Sequence, residues 1–177
     1  MNRVSMGVLA LMALLLAGCG PPRFFAVEEM NEAELRNQQA FNAKDVTWDF
    51  KRPDNWEIND KDWNEMHDDS NRVYLNVLSK NNGRTIYLGA NSGATIEMTI
   101  KHIDRGHYSF FTYSPAVIEA HLLIKDSSGK TLFRGTGKGR TREGGWDKAG
   151  DGGRLQGAHE DVAWAIRDLI NYYEGKK

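Results

Sequence analysis

Cys19 is the only cysteine of this 177-residue chain, and the residues before it indicate its chemistry. Arg3 is followed by an apolar run from Val4 to Leu16, which is typical of a secretory signal. A helix of that length spans about 20 Å, less than the roughly 30 Å hydrocarbon core of a bilayer, so a transmembrane helix is the weaker interpretation. An exported protein with one cysteine forms no internal disulfide, and its free thiol would be a liability in an oxidising compartment.

The run Leu16-Ala17-Gly18-Cys19 resembles a bacterial lipobox. The resemblance implies that residues 1–18 are a lipoprotein signal peptide and that Cys19 becomes the first mature residue. Acyl chains such as palmitate would then anchor the protein to the membrane, for which two chains suffice. Because Gly20, and not an aspartate, follows the cysteine, the resemblance further implies the outer membrane of a Gram-negative cell, with the protein on its periplasmic face.

Two short motifs bear on nucleotide binding. Residues 127–131, Ser-Ser-Gly-Lys-Thr, match the end of a phosphate loop, but Ile124 stands where that loop needs its first glycine. A strand is also predicted to follow, where a phosphate loop opens a helix. The glycines of 135–140 lack the spacing of a dinucleotide fingerprint. We therefore predict no nucleotide ligand and no cofactor.

Acidic and imidazole side chains give no complete metal or catalytic motif. Asp60, Asp62 and Asn64 match three ligand positions of a calcium loop, but Glu65 replaces its glycine and Asn71 its closing glutamate. The five histidines lack zinc-binding spacing, and no Gly-x-Ser-x-Gly elbow is present. We predict no metal site and no catalytic residue, while catalytic pairs assembled only by folding stay open.

The glycine-rich segment 135–153 is the first of two candidate partner-binding surfaces. Trp146 would act as its aromatic anchor, with Arg140 and Arg142 as polar contacts. Glycine at this density indicates conformational freedom or a close approach of backbones. The alternative to a binding loop is a mobile connection between the last strand and the last helix.

The second candidate surface is the aromatic segment 107–113, predicted as one strand with Phe111 and Tyr113 on the same face. One interpretation is a strand packed on both sides. The other is an exposed aromatic edge that binds a glycan, or an extended peptide by strand addition.

Hydrophobic periodicity predicts an α+β domain. Alternating patterns favour strands at 46–50, 73–78, 85–88, 96–101, 118–125 and 131–134. Apolar residues at spacings of three and four from Leu155 to Tyr173 predict a long C-terminal helix. An N-terminal helix over 27–43 is plausible, and 54–71 is an acidic irregular segment anchored by Trp56 and Trp63. The expected architecture is an antiparallel, possibly mixed, sheet of about five to six strands packed on the long helix.

Composition limits the partners and the number of domains. The formal net charge is −1 and the isoelectric point is near 6.5, so no strongly basic surface is expected and we predict no nucleic-acid partner. Residues 19–26, which include Pro21 and Pro22, form a stiff tether beyond the lipid. Residues 27–177 then form one periplasmic domain.

From about Ala94 onward the pattern is similar to small bacterial envelope lipoprotein domains of unknown function. The residues that carry the likeness are Ile103-Asp104-Arg105-Gly106 and Asp126-Ser127-Ser128-Gly129-Lys130. The resemblance implies an envelope lipoprotein without assigned catalysis and carries over no functional residue except Cys19. The sequence thus favours a non-catalytic binding or scaffold role toward an envelope protein. The alternative is a protein that binds or hydrolyses glycan such as peptidoglycan, which predicts a deep groove with converging carboxylates.

Overall fold

The computed structural model describes residues 25–89, 93–108, 113–141 and 151–173. Its helices within these ranges are α1 (Glu32–Asn37), α2 (Asp60–Ser79) and α3 (Asp151–Tyr172). Its strands are β1 (Phe25–Met30), β2 (Ala40–Ala43), β3 (Thr47–Trp48), β4 (Thr85–Leu88), β5 (Ala94–Asp104), β6 (His107–Tyr108), β7 (Tyr113–Ser114), β8 (Val117–Lys125) and β9 (Thr131–Arg140).

Seven strands form one mixed sheet in the order β1-β9-β8-β5-β2-β4, with β3 also paired to β5. The long pairs β1–β9, β8–β9 and β5–β8 are antiparallel. The short pairs β2–β4, β2–β5 and β3–β5 are parallel. Parallel neighbours need a crossover connection, and α2 lies within the connection between β2 and β4. The α+β class with a mixed sheet and a C-terminal helix is confirmed.

The sheet is buried on one face. Alternate residues of β5 and β8 are buried, among them Ile96, Met98 and Ile100 of β5. The intervening positions of the opposite face are partly exposed and include cross-strand ion pairs, such as Lys125 Nζ to Glu97 Oε2 at 2.8 Å. This alternation is that of an antiparallel sheet with one face against the core and one solvated.

Helix α3 covers the buried face and confirms the predicted C-terminal helix. The apolar side chains spaced three and four apart, from Leu155 to Tyr173, are all buried. It approaches β9 closely at Gly139, where an added Cβ would lie 2.2 Å from the backbone oxygen of Ala158 and 2.5 Å from Val162 Cγ2. A side chain at 139 would therefore push the helix off the sheet.

The glycines of 135–140 belong to β9, so the predicted loop is wrong over these residues. Gly135, Gly137 and Gly139 alternate on the buried face of the strand. Their spacing of two reflects the close approach of neighbouring elements to the strand rather than conformational freedom of the backbone. Residues 142–150, the rest of that segment before α3, lie outside the described residues.

Helix α2 replaces two predictions, the strand at 73–78 and most of the irregular segment at 54–71. It begins after Asn59, whose side-chain oxygen accepts the backbone N–H of Asp62 at 2.9 Å. The alternation that suggested a strand fails at Leu75, which is only half-buried, whereas Val73-Tyr74 and Val77-Leu78 are buried as pairs four residues apart. Pairs at that spacing share one face of a helix.

The N-terminal region contains the predicted helix only in part. Residues 32–37 form α1, and the flanking residues form β1 and β2 instead of continuing the helix. Asn31 ends β1 and caps α1, with its side chain accepting the backbone N–H of Glu34 at 3.3 Å. Backbone pairing of β1 with β9 accounts for the strand, because the apolar stripe over 27–43 is too thin to hold a long helix on the core.

Candidate functional site

Six aromatic and imidazole rings pack together where β3 and β5 face α2. This tryptophan cluster consists of Trp48, Phe50, Trp56, Trp63, His67 and His102. Trp48 stacks on His67 with ring centroids 3.8 Å apart and planes at 10°. Trp63 meets Trp48 edge-on at 5.5 Å. Stacked and edge-to-face contacts fix ring orientation, so the cluster forms a rigid wall at this end of the sheet.

The local sequence explains how the rings meet. Trp63 and His67 are four residues apart in α2 and therefore lie one turn apart on the same face. Trp48 pairs with Ile100 of β5 in parallel register, which holds its ring over that helix face. Burial lowers the pKa of His67 and outweighs the opposing effect of the neighbouring Asp68 carboxylate. The imidazole is thus neutral at neutral pH.

A pocket of about 290 Å³ opens beside the cluster and is called here the α2 pocket. It is lined by Ile58, Asp62, Glu65, Met66, Asp69, Ser70, Arg72, Val73, Arg105, Leu155, Gln156 and His159. Asp62, Glu65 and Asp69 follow one face of α2 at spacings of three and four. Arg72 pairs with Asp69 at 2.6 Å. The pocket therefore combines an apolar lining with more carboxylates than guanidinium groups.

Ser70 and His159 form a buried polar link between α2 and α3, with Oγ and Nε2 2.6 Å apart. The Ser70 hydroxyl donates its one proton to the backbone oxygen of Met66 at 2.6 Å, so the Nε2–H of His159 donates to the hydroxyl. The residue types are those of a nucleophile and a base. Burial, however, lowers the pKa of His159 to about 3, far from the value that suits a general base.

The remaining imidazole nitrogen of His159 decides the role of the pair. Among the described residues, Nδ1 has no hydrogen-bond partner, so no carboxylate orients the ring as in a catalytic triad. Ser70 and His159 are only 1% and 2% exposed, so the pair is almost completely buried at the wall of the α2 pocket. The arrangement joins two helices across the core and lacks the geometry of a catalytic dyad.

A second pocket, of about 620 Å³, lies on the other side of Arg105 and is called here the Arg154 pocket. It is lined by Pro53, Asn55, Trp56, His102, Ile103, Asp104, Arg105, Gly106, His107 and Arg154. Arg105 lines both pockets. Its guanidinium carbon lies 5.2 Å from the centroid of the Trp56 ring, a cation–π contact that places the charge at the boundary between the two pockets.

Backbone contacts fix the walls of the Arg154 pocket. Gly106 has a φ of +67°, and an added Cβ would lie 2.3 Å from the backbone oxygen of Ser114. Its N–H donates to Asp104 Oδ1 at 2.9 Å. Arg154 Nε donates to the backbone oxygen of Arg105 at 3.3 Å, and the hydroxyl of Thr141 donates to the backbone oxygen of Arg154 at 2.5 Å. The strand ends and α3 are therefore tied together at this pocket.

Two of the predicted partner contacts lie at the same end of the sheet as the Arg154 pocket. Asp104, which lines the pocket, pairs with Val117, and Val117 pairs with Arg140, so Arg140 stands two strand spacings, about 10 Å, from Asp104. Tyr113 precedes Ser114, which pairs with the pocket residue His107. Arg140 is exposed, and Tyr113 has 41% of its surface exposed.

The other predicted site residues lie outside the described residues: Cys19, Phe111, Arg142 and Trp146. The prediction of a single strand over 107–113 is wrong. His107–Tyr108 and Tyr113–Ser114 pair in antiparallel direction as β6 and β7, so the two ends of this segment do not continue one strand.

The calcium-like spacing at 60–64 is the beginning of α2. Asp60 and Asp62 occupy the first turn of the helix, where carboxylates interact favourably with the helix dipole, and Asp60 pairs with Arg52 at 2.8 Å. Over the described ranges, no group of three or more histidine, cysteine, aspartate or glutamate side chains could hold a metal ion. Carboxylates two residues apart serve the start of the helix here.

Ser70, His159, Arg105 and Arg154 were missed as site residues. Arg105 and Arg154 are far apart in sequence. They meet only because folding brings the end of β5 beside the start of α3. One signal was available for the first pair. Trp63, His67 and Ser70 recur at spacings of four and three, which on a helix places them on one face. The prediction of an irregular segment over 54–71 hid this helical spacing.

Comparisons with known proteins add likenesses of low similarity. No protein-family model matches the chain, and no curated protein matches it. A dodecameric PelC from Paraburkholderia phytofirmans is 11% identical with a TM-score of 0.47, over 81% of this chain and 93% of that one. Protein XCC0632 from Xanthomonas campestris, described as DUF330, is 10% identical with a TM-score of 0.49, over 83% and 86%.

The lipoprotein GNA1162 from Neisseria meningitidis is 11% identical with a TM-score of 0.35, over 57% of this chain and 81% of that one. At these scores and identities the likenesses assign neither a family nor a function to the chain. Among the described residues, no helix is long and apolar enough to span a membrane.

Proposed function

We propose that this chain is a lipid-anchored lipoprotein of the Gram-negative outer membrane, facing the periplasm, and that it binds another envelope component without catalysis. The anchor rests on the run Leu16-Ala17-Gly18-Cys19 after an apolar segment. The binding surface is the end of the sheet that carries the Arg154 pocket, Tyr113 and Arg140; it is called here the pocket end.

The observation that carries the binding role is this juxtaposition of an open pocket with exposed aromatic and basic side chains. Concave sites with a few convergent polar groups are the usual places of ligand binding, and exposed tyrosine and arginine are enriched in protein interfaces. The neutral, buried Ser70–His159 pair supports a non-catalytic role, because its imidazole has a pKa near 3 and no orienting carboxylate among the described residues.

Membrane anchoring makes modest contacts sufficient. A domain tethered within a few nanometres of a bilayer meets its neighbours there at a high effective concentration. The predicted tether, residues 19–26, leads into β1, which pairs with β9 at the edge of the sheet. A partner in the same envelope layer is therefore the occupant that the proposal favours.

Glycan binding is the second candidate, and one observation favours it. The α2 pocket gathers the carboxylates of Asp62, Glu65 and Asp69, which can accept hydrogen bonds from the hydroxyls of a sugar. Hydrolysis would further need two carboxylates placed on opposite sides of the scissile bond, whereas these three follow a single helix face.

Two measurements test the proposal. Intact mass of the protein extracted from membranes should show a chain that begins at acylated Cys19, and Cys19→Ala should abolish the modification. Chemical crosslinking in intact cells, followed by mass spectrometry, should then yield one dominant envelope protein with the wild type and none with Cys19→Ala. Recovery of peptidoglycan fragments in place of a protein would favour the second candidate. An unmodified cysteine would refute the anchor.

A further inference from the structure

The outer face of α3 exposes a large aromatic side chain. Val162 packs on the sheet at Gly139, and Trp164 follows it by two positions, about 200° round the helix. The Trp164 side chain therefore points away from the sheet, and 37% of its surface is exposed. A single exposed apolar residue is ordinary, so the groups around Trp164 and its place in the fold decide what it does.

Arg167 stacks on this exposed ring. Its guanidinium carbon lies 3.5 Å from the centroid of the Trp164 ring, and the two residues are neighbours on one face of the helix. The Nε of Arg167 is buried and has no hydrogen-bond partner among the described residues, and no carboxylate of those residues forms an ion pair with it. The terminal N–H groups of Arg167 can therefore donate to an external oxygen, and a guanidinium matches phosphate in particular.

A second exposed apolar residue lies on the side of the sheet that α3 covers, called here the α3 side. Val27 of β1 has 47% of its surface exposed. It pairs with Gly135, which lies on the buried face of β9, and paired residues of neighbouring strands share a face. Because β1 is the edge strand, Val27 lies in solvent beside the helix.

The direction of α3 along the sheet follows from two contacts. Val162 packs at Gly139, near the end of β9. Tyr173, directly after α3, donates its hydroxyl proton to Met30 Sδ at 3.2 Å, and Met30 pairs with Phe133 near the start of β9. The helix therefore runs antiparallel to β9.

This direction places Trp164 close to the point where the tether enters the domain. Phe25 begins β1 and pairs with Gly137, which is two residues, about 7 Å, before Gly139 in β9. Trp164 lies about 3 Å of helix rise beyond the contact with Gly139, in the same direction. Six residue steps separate Phe25 from Cys19, and they reach at most about 20 Å. An anchored Cys19 thus keeps this part of the α3 side near the bilayer.

The groups of the α3 side match the interface of a bilayer. Tryptophan is enriched where headgroups meet acyl chains, because its ring is largely apolar and its indole N–H donates to polar groups. Arg167 beside it offers donors to a lipid phosphate, and the exposed carboxylate of Asp168 suits the ammonium group of a zwitterionic headgroup. Both the tether length and this chemistry favour a lipid surface as the occupant.

We propose that the α3 side lies against the membrane to which Cys19 is anchored. Trp164 enters the interface between headgroups and acyl chains, Arg167 binds a lipid phosphate, and Val27 adds apolar contact at the sheet edge. The inference rests on the proposed function, because it takes the acyl anchor on Cys19 as given. It goes beyond that function by stating which side of the domain faces the lipid.

The test is quenching of tryptophan fluorescence by spin-labelled lipid. The full lipidated protein is reconstituted in vesicles of phosphatidylcholine and phosphatidylethanolamine, and flotation of the vesicles establishes that it is attached. A spin label near the headgroup should quench the emission of the wild type more than that of Trp164→Phe. Because the chain has five tryptophans, the difference between the two proteins isolates Trp164. The exposed position allows the replacement without loss of the fold.

Two matched controls sharpen the result. Tyr87→Trp in the Trp164→Phe protein moves the exposed indole to β4, at the opposite edge of the sheet, where 44% of Tyr87 is exposed. This protein should be quenched no more than Trp164→Phe alone. Arg167→Gln should lower the quenching of Trp164, whereas Arg134→Gln, which removes the same charge from the solvated face of the sheet, should leave it unchanged.

The inference is overturned if attached wild type and Trp164→Phe are quenched equally. It is also overturned if the protein with Tyr87→Trp is quenched as much as the wild type, since the domain then has no fixed side toward the lipid. Either result with attached protein leaves the proposed function standing. Protein that does not float with the vesicles refutes the anchor and this inference together. A protein crosslinked in cells through position 164, without lipid quenching, would replace the lipid by a protein partner and overturn the inference.

Discussion

The body of the sheet, where α3 lies on β8 and β9, and the region where α2 faces β3 are packed differently. In the body, buried positions are apolar and backbones approach closely at Gly139. Between α2 and β3, aromatic rings surround imidazoles, and His67 Nε2 and His159 Nδ1 find no hydrogen-bond partner among the described residues. Buried polar atoms without partners cost stability, so these imidazoles destabilise the region around α2, whereas the apolar body stabilises the fold.

The largest expected loss of stability is in the body of the sheet. Gly139→Ala places a Cβ 2.2 Å from the backbone oxygen of Ala158, so α3 must move, and the free energy of unfolding should fall by about 3 kcal/mol. Urea denaturation measures it. Thr136→Ala in the same strand removes a partly exposed hydroxyl that donates to Glu28 and should cost less than about 1 kcal/mol. Equal losses for the two variants would contradict the close approach.

The next largest loss of stability is expected at the pocket end. Gly106→Ala combines a strained φ of +67° with a contact of 2.3 Å to the backbone oxygen of Ser114. It should lower the free energy of unfolding by about 2 kcal/mol and displace the pocket wall. Gly89→Ala is the matched control, since its φ is +70° but nothing lies within 4 Å of the added Cβ. That variant should cost about 1 kcal/mol, and ligand binding should survive it.

The dependence of stability on pH tests the comparison through the protonation of His159. Burial lowers its pKa to about 3 in the folded state, against about 6.5 when unfolded. Between these values the unfolded chain binds the extra proton, so this contribution to stability is complete above pH 6.5 and is lost progressively as pH falls toward 3. The slope should approach roughly 1.4 kcal/mol per pH unit.

Chemical denaturation of wild type and His159→Gln between pH 7.5 and about 4 checks this slope. The variant should show a flatter dependence, and the difference between the two curves isolates His159 from His67, whose pKa burial also lowers. Parallel curves would mean that position 159 is hydrated in the folded protein, and the description of the Ser70–His159 contact as buried would fail.

The smallest effect concerns the solvated face of the body. Lys125→Ala removes the ion pair with Glu97, whose side chains are 33% and 39% exposed. Partly exposed pairs of this kind contribute less than about 1 kcal/mol, so the midpoint of urea unfolding should move little. A loss as large as that of Gly139→Ala would show that the open face of the sheet, and not its contact with α3, holds the body together.

The body was predictable from sequence because its residues follow simple periods. Alternation at Ile96, Met98 and Ile100 predicted β5, and the spacings from Leu155 to Tyr173 predicted α3. In both cases local pattern and tertiary burial agree. Even there, the sequence predicts a loop at the glycines of β9, because the element that a glycine packs against lies elsewhere in the chain and leaves no pattern in adjacent residues.

Helix α2 and the contacts around the two pockets were less predictable for a physical reason. The segment 73–78 fits a period of two almost as well as a helix, and only the burial of the adjacent residues Val73 and Tyr74 shows that it is not a strand. The Arg105–Arg154 and Ser70–His159 contacts join residues far apart in the chain. Such pairs carry no local spacing, so a single sequence does not reveal them.

Site-specific photocrosslinking tests the central claim most directly, that the lipid-anchored domain binds an envelope component at its pocket end. Tyr113 and Tyr87 are matched reporters, with 41% and 44% of their surface exposed. Tyr87 pairs with Asn42, which in turn pairs with Thr95 of β5. Thr95 lies about 30 Å along β5 from Asp104. With p-benzoylphenylalanine at each position in intact cells, the account predicts one abundant adduct from position 113 and none from position 87. Adducts from position 87 alone, or equal adducts from both, would contradict it.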